Sequence, residues 1–188
     1  MPRLFHLNGP PGVGKSTLAR SLAAGDRLAL VLDVDVVVAM VAGWREDFWG
    51  TLPVARRLGA AMAAEHLAAG HDVFLPQLVT DEGEIAPYLA AVQRSGASYV
   101  EIVLQADLRT SIGRFSARAA DPADLLGRTL GEVVAAGGGE RLQAKIHDDL
   151  AAYLRRRDAP ITVETSGRTP EDVHRAVLAA LSAGRPAG

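Results

Sequence analysis

Short apolar runs alternate along this chain with longer segments whose apolar residues recur every three or four positions. Runs at Leu4 to Leu7, Leu28 to Leu32, Asp72 to Leu75, Ser98 to Leu104 and Ile161 to Glu164 read as five strands. Between them, Lys15 to Ala24 carries Leu18 and Leu22 at helical spacing, and Gly25 closes that helix. Val36 to Val41 follows Asp35 and begins another. A longer helix is expected to start at Thr51 as cap, with Pro53 in its first turn, and to carry Val54, Leu58, Met62 and Leu67 as far as Ala69 and Gly70. Glu84 to Ser95 stops at Gly96, and Asp107 caps a segment with Leu108, Ile112 and Phe115 on one face. A polar, glycine-containing section through Gly137–Gly139 follows, then a helix from Glu140 to Arg157. Thr169-Pro170-Glu171-Asp172 opens a last helix lined by Val173, Val177 and Leu181. Strands alternating with helices in this way predict an α/β fold, a parallel sheet covered on both faces. Ligands of such sheets bind beyond the carboxyl ends of the strands. The loops after Leu7, Leu32, Leu75, Leu104 and Glu164 are therefore expected around one site.

Composition narrows the setting. The chain has 188 residues and a hydrophobic fraction of 48%, enough for one domain with its own core and a mobile lid. Its net charge of −2 gives no global basic field for nucleic acid. It has no cysteine, which excludes a disulfide framework, thiolate zinc sites and a cysteine nucleophile. No apolar signal region precedes the first strand and no run reaches membrane-spanning length, so a cytoplasmic protein is expected. The basic residues are 18 Arg and only two Lys, Lys15 and Lys145. The five histidines show no metal-ligand spacing.

Residues 9–16 read GPPGVGKS, and Gly9, Gly14, Lys15 and Ser16 complete a phosphate-binding (Walker A) loop between the first strand and the first helix. Backbone N–H groups of Gly9, Gly12, Val13, Gly14, Lys15, Ser16 and Thr17, with Pro10 and Pro11 shaping the turn, would face phosphates across a helix N-terminus. Only the two prolines lack an N–H to offer. Lys15 would reach the β- and γ-phosphates, and the Ser16 hydroxyl would sit on Mg²⁺.

Other candidates surround that loop. Asp33 and Asp35 follow the second strand as DVD. Asp35 is assigned as the base that takes a hydroxyl proton, and Asp33 as metal or structural support; capping the next helix is the ordinary alternative for one of the pair. The third strand ends Leu75-Pro76-Gln77, where Gln77 either hydrogen-bonds an acceptor or bonds local backbone. Arg114 and Arg118 stand four apart, so they share a helix face and suit a clamp on a transferring phosphoryl group; a solvated face is the alternative. Asp107 is assigned to capping rather than metal. Trp44 and Trp49 flank Arg45, and either wall an organic acceptor, with Trp44 and Arg45 touching it, or pack in the core. Arg168, between the last strand and last helix, is placed to stack on a nucleotide base. The segment from Trp44 to Arg57 and the Gln77 loop are expected to select the acceptor.

With GPPGVGKS, DVD, the paired arginines and TSGRTPEDV together, the chain resembles small P-loop kinases of the nucleoside-monophosphate-kinase-like group. That group includes gluconate kinase, shikimate kinase, chloramphenicol phosphotransferase and the zeta toxins. The run LDVDVVVAMVAGW…HLAAGHDVFLPQ is similar to bacterial AAA-family ATPases or kinases. The resemblance implies a three-layer α/β/α P-loop fold with strand order 2-3-1-4-5, ATP as donor with Mg²⁺, and a small helical lid over about residues 108–139 bearing Arg114 and Arg118. It places the acid after the second strand at Asp35, or at Asp33 in the neighbouring register. Pro76-Gln77 departs from it, because a metal-orienting acid often stands there. The expected function is γ-phosphoryl transfer to a hydroxyl of a small molecule. The alternatives are a regulatory ATPase with no acceptor and a polynucleotide 5′-hydroxyl kinase, the latter opposed by the charge balance.

Overall fold

The computed structural model describes residues 1–157 and 160–183. Five strands, β1 (Arg3–Asn8), β2 (Leu30–Val31), β3 (Val73–Pro76), β4 (Ser98–Gln105) and β5 (Ile161–Glu164), form one parallel sheet in the order β2-β3-β1-β4-β5. This is the α/β architecture and strand order expected from the resemblance. The registers, for example Leu7 beside Pro76 and Ile102, bring every strand to its carboxyl end on the same edge.

Period-two alternation splits β1 between two cores. Leu4 faces a cluster with Val34, Phe48, Tyr88, Leu130 and Tyr153, while Phe5 and Leu7 face a second with Leu18, Val163, Val173 and Val177. Helices α1 (Lys15–Ala23) and α8 (Pro170–Ala183) cover the second face, and α2 (Val34–Ala39), α3 (Phe48–Ala68) and α4 (Glu82–Ser95) cover the first. Val173 and Val177, one turn apart on α8, are buried, each worth roughly 2 kcal/mol of apolar transfer. Among the described residues, no helix is long and apolar enough to cross a membrane.

Several boundaries differ from the sequence expectation, each for a local reason. β2 holds only Leu30–Val31, because Leu28 takes a positive φ of 72° and its side chain is exposed. α2 starts at Val34 rather than Val36: Asp33 is its cap, accepting the Asp35 N–H at 3.2 Å. The long α3 starts at Phe48 rather than Thr51. Asp47 caps it by accepting the Gly50 N–H at 2.9 Å, Thr51 lies inside and bonds back to the Asp47 carbonyl, and Pro53 sits within the helix. The section after α5 (Leu108–Ala120) is not irregular. Asp124 accepts the Gly127 N–H at 2.7 Å and opens α6 (Leu125–Ala136), whose Leu126, Leu130, Val133 and Val134 pack on the first core. Residues Gly138 and Gly139, at positive φ, turn the chain into α7 (Glu140–Leu154).

Candidate active site

The phosphate loop is held from two sides. Asn8, fully buried, accepts the Gly9 N–H at 2.9 Å and the Val79 N–H at 3.0 Å, and donates to the Val79 carbonyl at 3.1 Å. One amide thus ties the start of the loop to the loop after β3. His6, two residues earlier on the same face, meets Tyr99 Oη at 2.8 Å and the Gln77 carbonyl at 2.9 Å. Burial drives its pKa down to about 4, so it is neutral across the physiological range. From the other side, the buried Ser111 hydroxyl of α5 donates to the Pro11 carbonyl. Gly12, at φ +78°, lies against α5 so closely that a Cβ would collide with the Ser111 carbonyl and stand 2.9 Å from the Phe115 nitrogen.

This loop opens into a cleft of about 900 Å³ along the carboxyl edge of the sheet. Pro11, Gly12, Val13, Gly14, Lys15, Ser16, Thr17, Asp35, Gln77, Arg114, Arg118 and Arg168 all line it. The structure therefore brings most of the sequence-predicted residues to one cavity. Trp44 and Arg45 do not join them. Trp44 is buried in the first core with the Arg45 guanidinium 5.2 Å from its ring, and both border a separate small surface pocket. The other indole, Trp49, does line the cleft and is 55% exposed, stacked edge-on against Phe48. Phe48 and Trp49, in the first turn of α3, line this side of the cleft, and Trp44 does not.

Lys15 is half-buried, and its Nζ donates to the Gly9 and Pro10 carbonyls at 2.8 and 2.9 Å. Desolvation lowers its pKa to about 8, against the pull of Asp35 and Asp33. Asp35 moves the other way. Burial, and then the neighbouring Asp33 charge, raise its pKa to about 6, with Lys15, Arg118 and Arg56 opposing. Both shifts come first from burial, and the attraction between the two opposite charges holds each of them back. Asp33 lies between the two expected roles. It caps α2, and its Oδ2 accepts the Ser16 hydroxyl at 2.7 Å. Ser16 and Asp33 thereby present two hard oxygens together, the small donor set with which Mg²⁺ is held when phosphates complete its shell. Among the described residues, no group of three or more His, Asp and Glu gathers into a metal cage of its own.

Gln77 lines the cleft, but its Nε2 donates to the Leu78 carbonyl at 3.2 Å, the local-backbone alternative. Arg114 is anchored on Thr165, to Oγ1 at 3.2 Å and to the carbonyl at 3.0 Å; Arg118 donates to Asp124 Oδ2 at 2.6 Å. Asp107 caps α5 by accepting the Thr110 N–H at 2.8 Å, and its backbone N–H reaches Ser166 Oγ at 3.0 Å, which joins this loop to that of Arg168. Sequence reasoning did not single out Arg56, Glu84 and Arg20. Arg56 and Glu84 form an ion pair of 2.7 Å in the cleft wall, from α3 and α4. Neither sits in a motif, and only the packing of two helices distant in sequence reveals them.

Comparison with known proteins agrees with this architecture. The family model AAA_33, an AAA domain, matches residues 4–137. No curated protein matches the chain. Among solved structures, a Chloroflexus aurantiacus protein provisionally named a kinase is 20% identical, with a TM-score of 0.70 over 98% of this chain and 99% of that one. A gluconokinase from Sinorhizobium meliloti 1021 is 16% identical (TM-score 0.63; 97% and 93% covered). The Mycobacterium tuberculosis APS kinase CysC, in complex with AMPPNP and APS, is 18% identical (TM-score 0.60; 96% and 98% covered). At such identities these likenesses speak for the fold. The family match over most of the chain, on a sheet of order 2-3-1-4-5, makes this protein a member of the AAA_33 family of AAA domains.

Proposed function

We propose that the protein is an ATP-dependent kinase that moves the γ-phosphoryl group to a hydroxyl of a small molecule. The observation that carries this reading is Asp35, a carboxylate with its pKa raised to about 6, lining the same cleft as Lys15 and Arg118. In the proposed step the acceptor oxygen forms a bond to the γ-phosphorus while the bond from that phosphorus to the β–γ bridging oxygen breaks, releasing ADP. The acceptor's proton passes to the Asp35 carboxylate. Lys15 leaves the Gly9 and Pro10 carbonyls for the phosphate oxygens, and Arg114 and Arg118 neutralise charge as it spreads over the transferred group. Arg168 stacks on the base. Ser16 and Asp33 would hold Mg²⁺, which would supply charge neutralisation at the phosphates. The segment of about residues 108–139 acts as the lid that excludes water.

The test separates binding from chemistry. Asp35→Asn is expected to keep nucleotide affinity within about threefold and to lose transfer by about a thousandfold. Lys15→Ala is expected to lose both. Full transfer in Asp35→Asn would remove Asp35 as the base. ATP turnover with no phosphorylated product across a broad alcohol panel would favour a regulatory ATPase.

A further inference from the structure

The two halves of the cleft differ in character, and the difference bears on the acceptor. Sheet order sets β4 and β5 on one side of the phosphate loop and β2 and β3 on the other. The β4–β5 half carries Arg114, Arg118 and Arg168, with Lys15 and Arg20 from the loop and α1, against the single acid Asp124. That excess of cations suits a polyphosphate. The opposite half, next to Asp35, is built from α3, the loop after β3, and the α6–α7 pair. Its wall is largely apolar: Phe48, Leu52, Leu78, Leu130, Val134 and Ile146 all face the cavity. Each of its cations faces an acid. Arg56 is held by Glu84 at 2.7 Å, and Lys145 by Asp149 one turn along α7. With Asp35 added, acids outnumber bases on this side. A carboxylate or phosphate on the acceptor would meet three acids against two bases, each base already facing an acid, at a cost that an apolar wall does nothing to offset.

The Arg56–Glu84 pair is nevertheless set for a polar contact. The Arg56 Nε is buried with no hydrogen-bond partner among the described residues, and Glu84 Oε2 is occupied by the Thr80 N–H at 3.0 Å. We infer that the acceptor is an alcohol without anionic groups, carrying an aromatic or alkyl body that lies between α3 and the α6–α7 pair. Its hydroxyl points to Asp35, and one neutral acceptor atom of the ligand meets Arg56. This rests on the proposed kinase reading and separates this protein from kinases whose acceptors are sugar acids or nucleotides.

Ligand-observed NMR on the full chain, with and without AMPPNP and Mg²⁺, tests it with three probes: phenylpropanol, its ring-carboxylated twin, and gluconate. Phenylpropanol is expected to bind at millimolar concentration, at least about tenfold tighter than either anion. Glu84→Gln retains an acceptor for the Thr80 N–H but frees Arg56, and should cut the preference over the carboxylated twin by at least about threefold. Equal or tighter binding of either anion to the unmodified protein overturns the inference, as does no detectable binding of phenylpropanol. An unchanged preference in Glu84→Gln overturns the role given to the Arg56–Glu84 pair. Nucleotide binding is read in the same samples. Its loss would sink the kinase reading separately, since the probes are also measured without nucleotide.

Discussion

Replacing Asp35 by asparagine should strengthen the fold while it disables transfer. The carboxyl titrates near 3.8 in an ordinary setting and near 6 here, chiefly because burial disfavours its charge and secondly because Asp33 stands beside it. Folded-state protonation is therefore favoured over unfolded-state protonation by about two pH units, each worth about 1.4 kcal/mol. The sign follows directly. Above about pH 6 the folded chain carries an ionised carboxylate that the unfolded chain accommodates more easily, and the fold is weakened by as much as about 3 kcal/mol. As pH falls from about 6 toward 4, the folded carboxyl takes up its proton first and the penalty fades. Asparagine never pays it. Asparagine also withdraws the counter-charge from Lys15, but a lysine already lowered to about 8 can release its proton near that pH, which limits the loss. The expected net gain is about 1–3 kcal/mol at pH 8, shrinking to a few tenths near pH 4. Urea unfolding followed by circular dichroism at both pH values reads it as a higher midpoint at unchanged slope. An Asp35→Asn protein less stable than the parent at pH 8, or one with the same gain at both pH values, would refute the reasoning.

Other expectations follow from neighbouring groups. Phosphates should raise the pKa of Lys15 from about 8, so nucleotide binding near pH 8.5 takes up protons and affinity falls as pH rises; calorimetry in buffers of different ionisation enthalpy reads the proton count, and proton release would contradict it. Gly12→Ala forces a Cβ into the Ser111 carbonyl at a positive φ, and should cost about 2 kcal/mol of stability and at least about tenfold in nucleotide affinity. Asn8→Ala strips the partner from the Gly9 and Val79 N–H groups, and should destabilise by about 2–4 kcal/mol, read by thermal unfolding.

What the sequence disclosed, and what it withheld, has a physical pattern. GPPGVGKS is legible because a phosphate cradle needs glycine torsions and one lysine at fixed spacing, and the strand and helix on either side are local consequences. The five strands are legible because buried parallel strands are short apolar runs. Capping was the alternative reading for one acid of the DVD motif, and Asp33 takes that role. Whether Asp33 continues a strand or caps a helix is decided by where β2 loses its partner β3, and Leu30–Val31 is all that pairs. The start of α3 was misplaced because Thr51 and Pro53 imitate a helix opening, while Asp47, with Gly50 three residues on, provides the actual cap. Phe48 and Trp49 line the cleft from the first turn of α3, and Trp44 lies in the core. Helix α6 was hidden because its glycines, Gly127 and Gly131, lower helix propensity; packing of Leu130 and Val134 overrides it. Arg56 and Glu84 had no local signature at all, because their pairing exists only once α3 lies on α4.

In the proposed reaction this cleft passes a phosphoryl group to an alcohol. Phosphorus NMR of the protein with ATP, Mg²⁺ and a panel of uncharged aryl and alkyl alcohols tests it directly. A new phosphate monoester resonance is expected to grow in step with ADP and to be absent from Asp35→Asn. Growth of inorganic phosphate alone, or a spectrum of ATP that does not change, would contradict it.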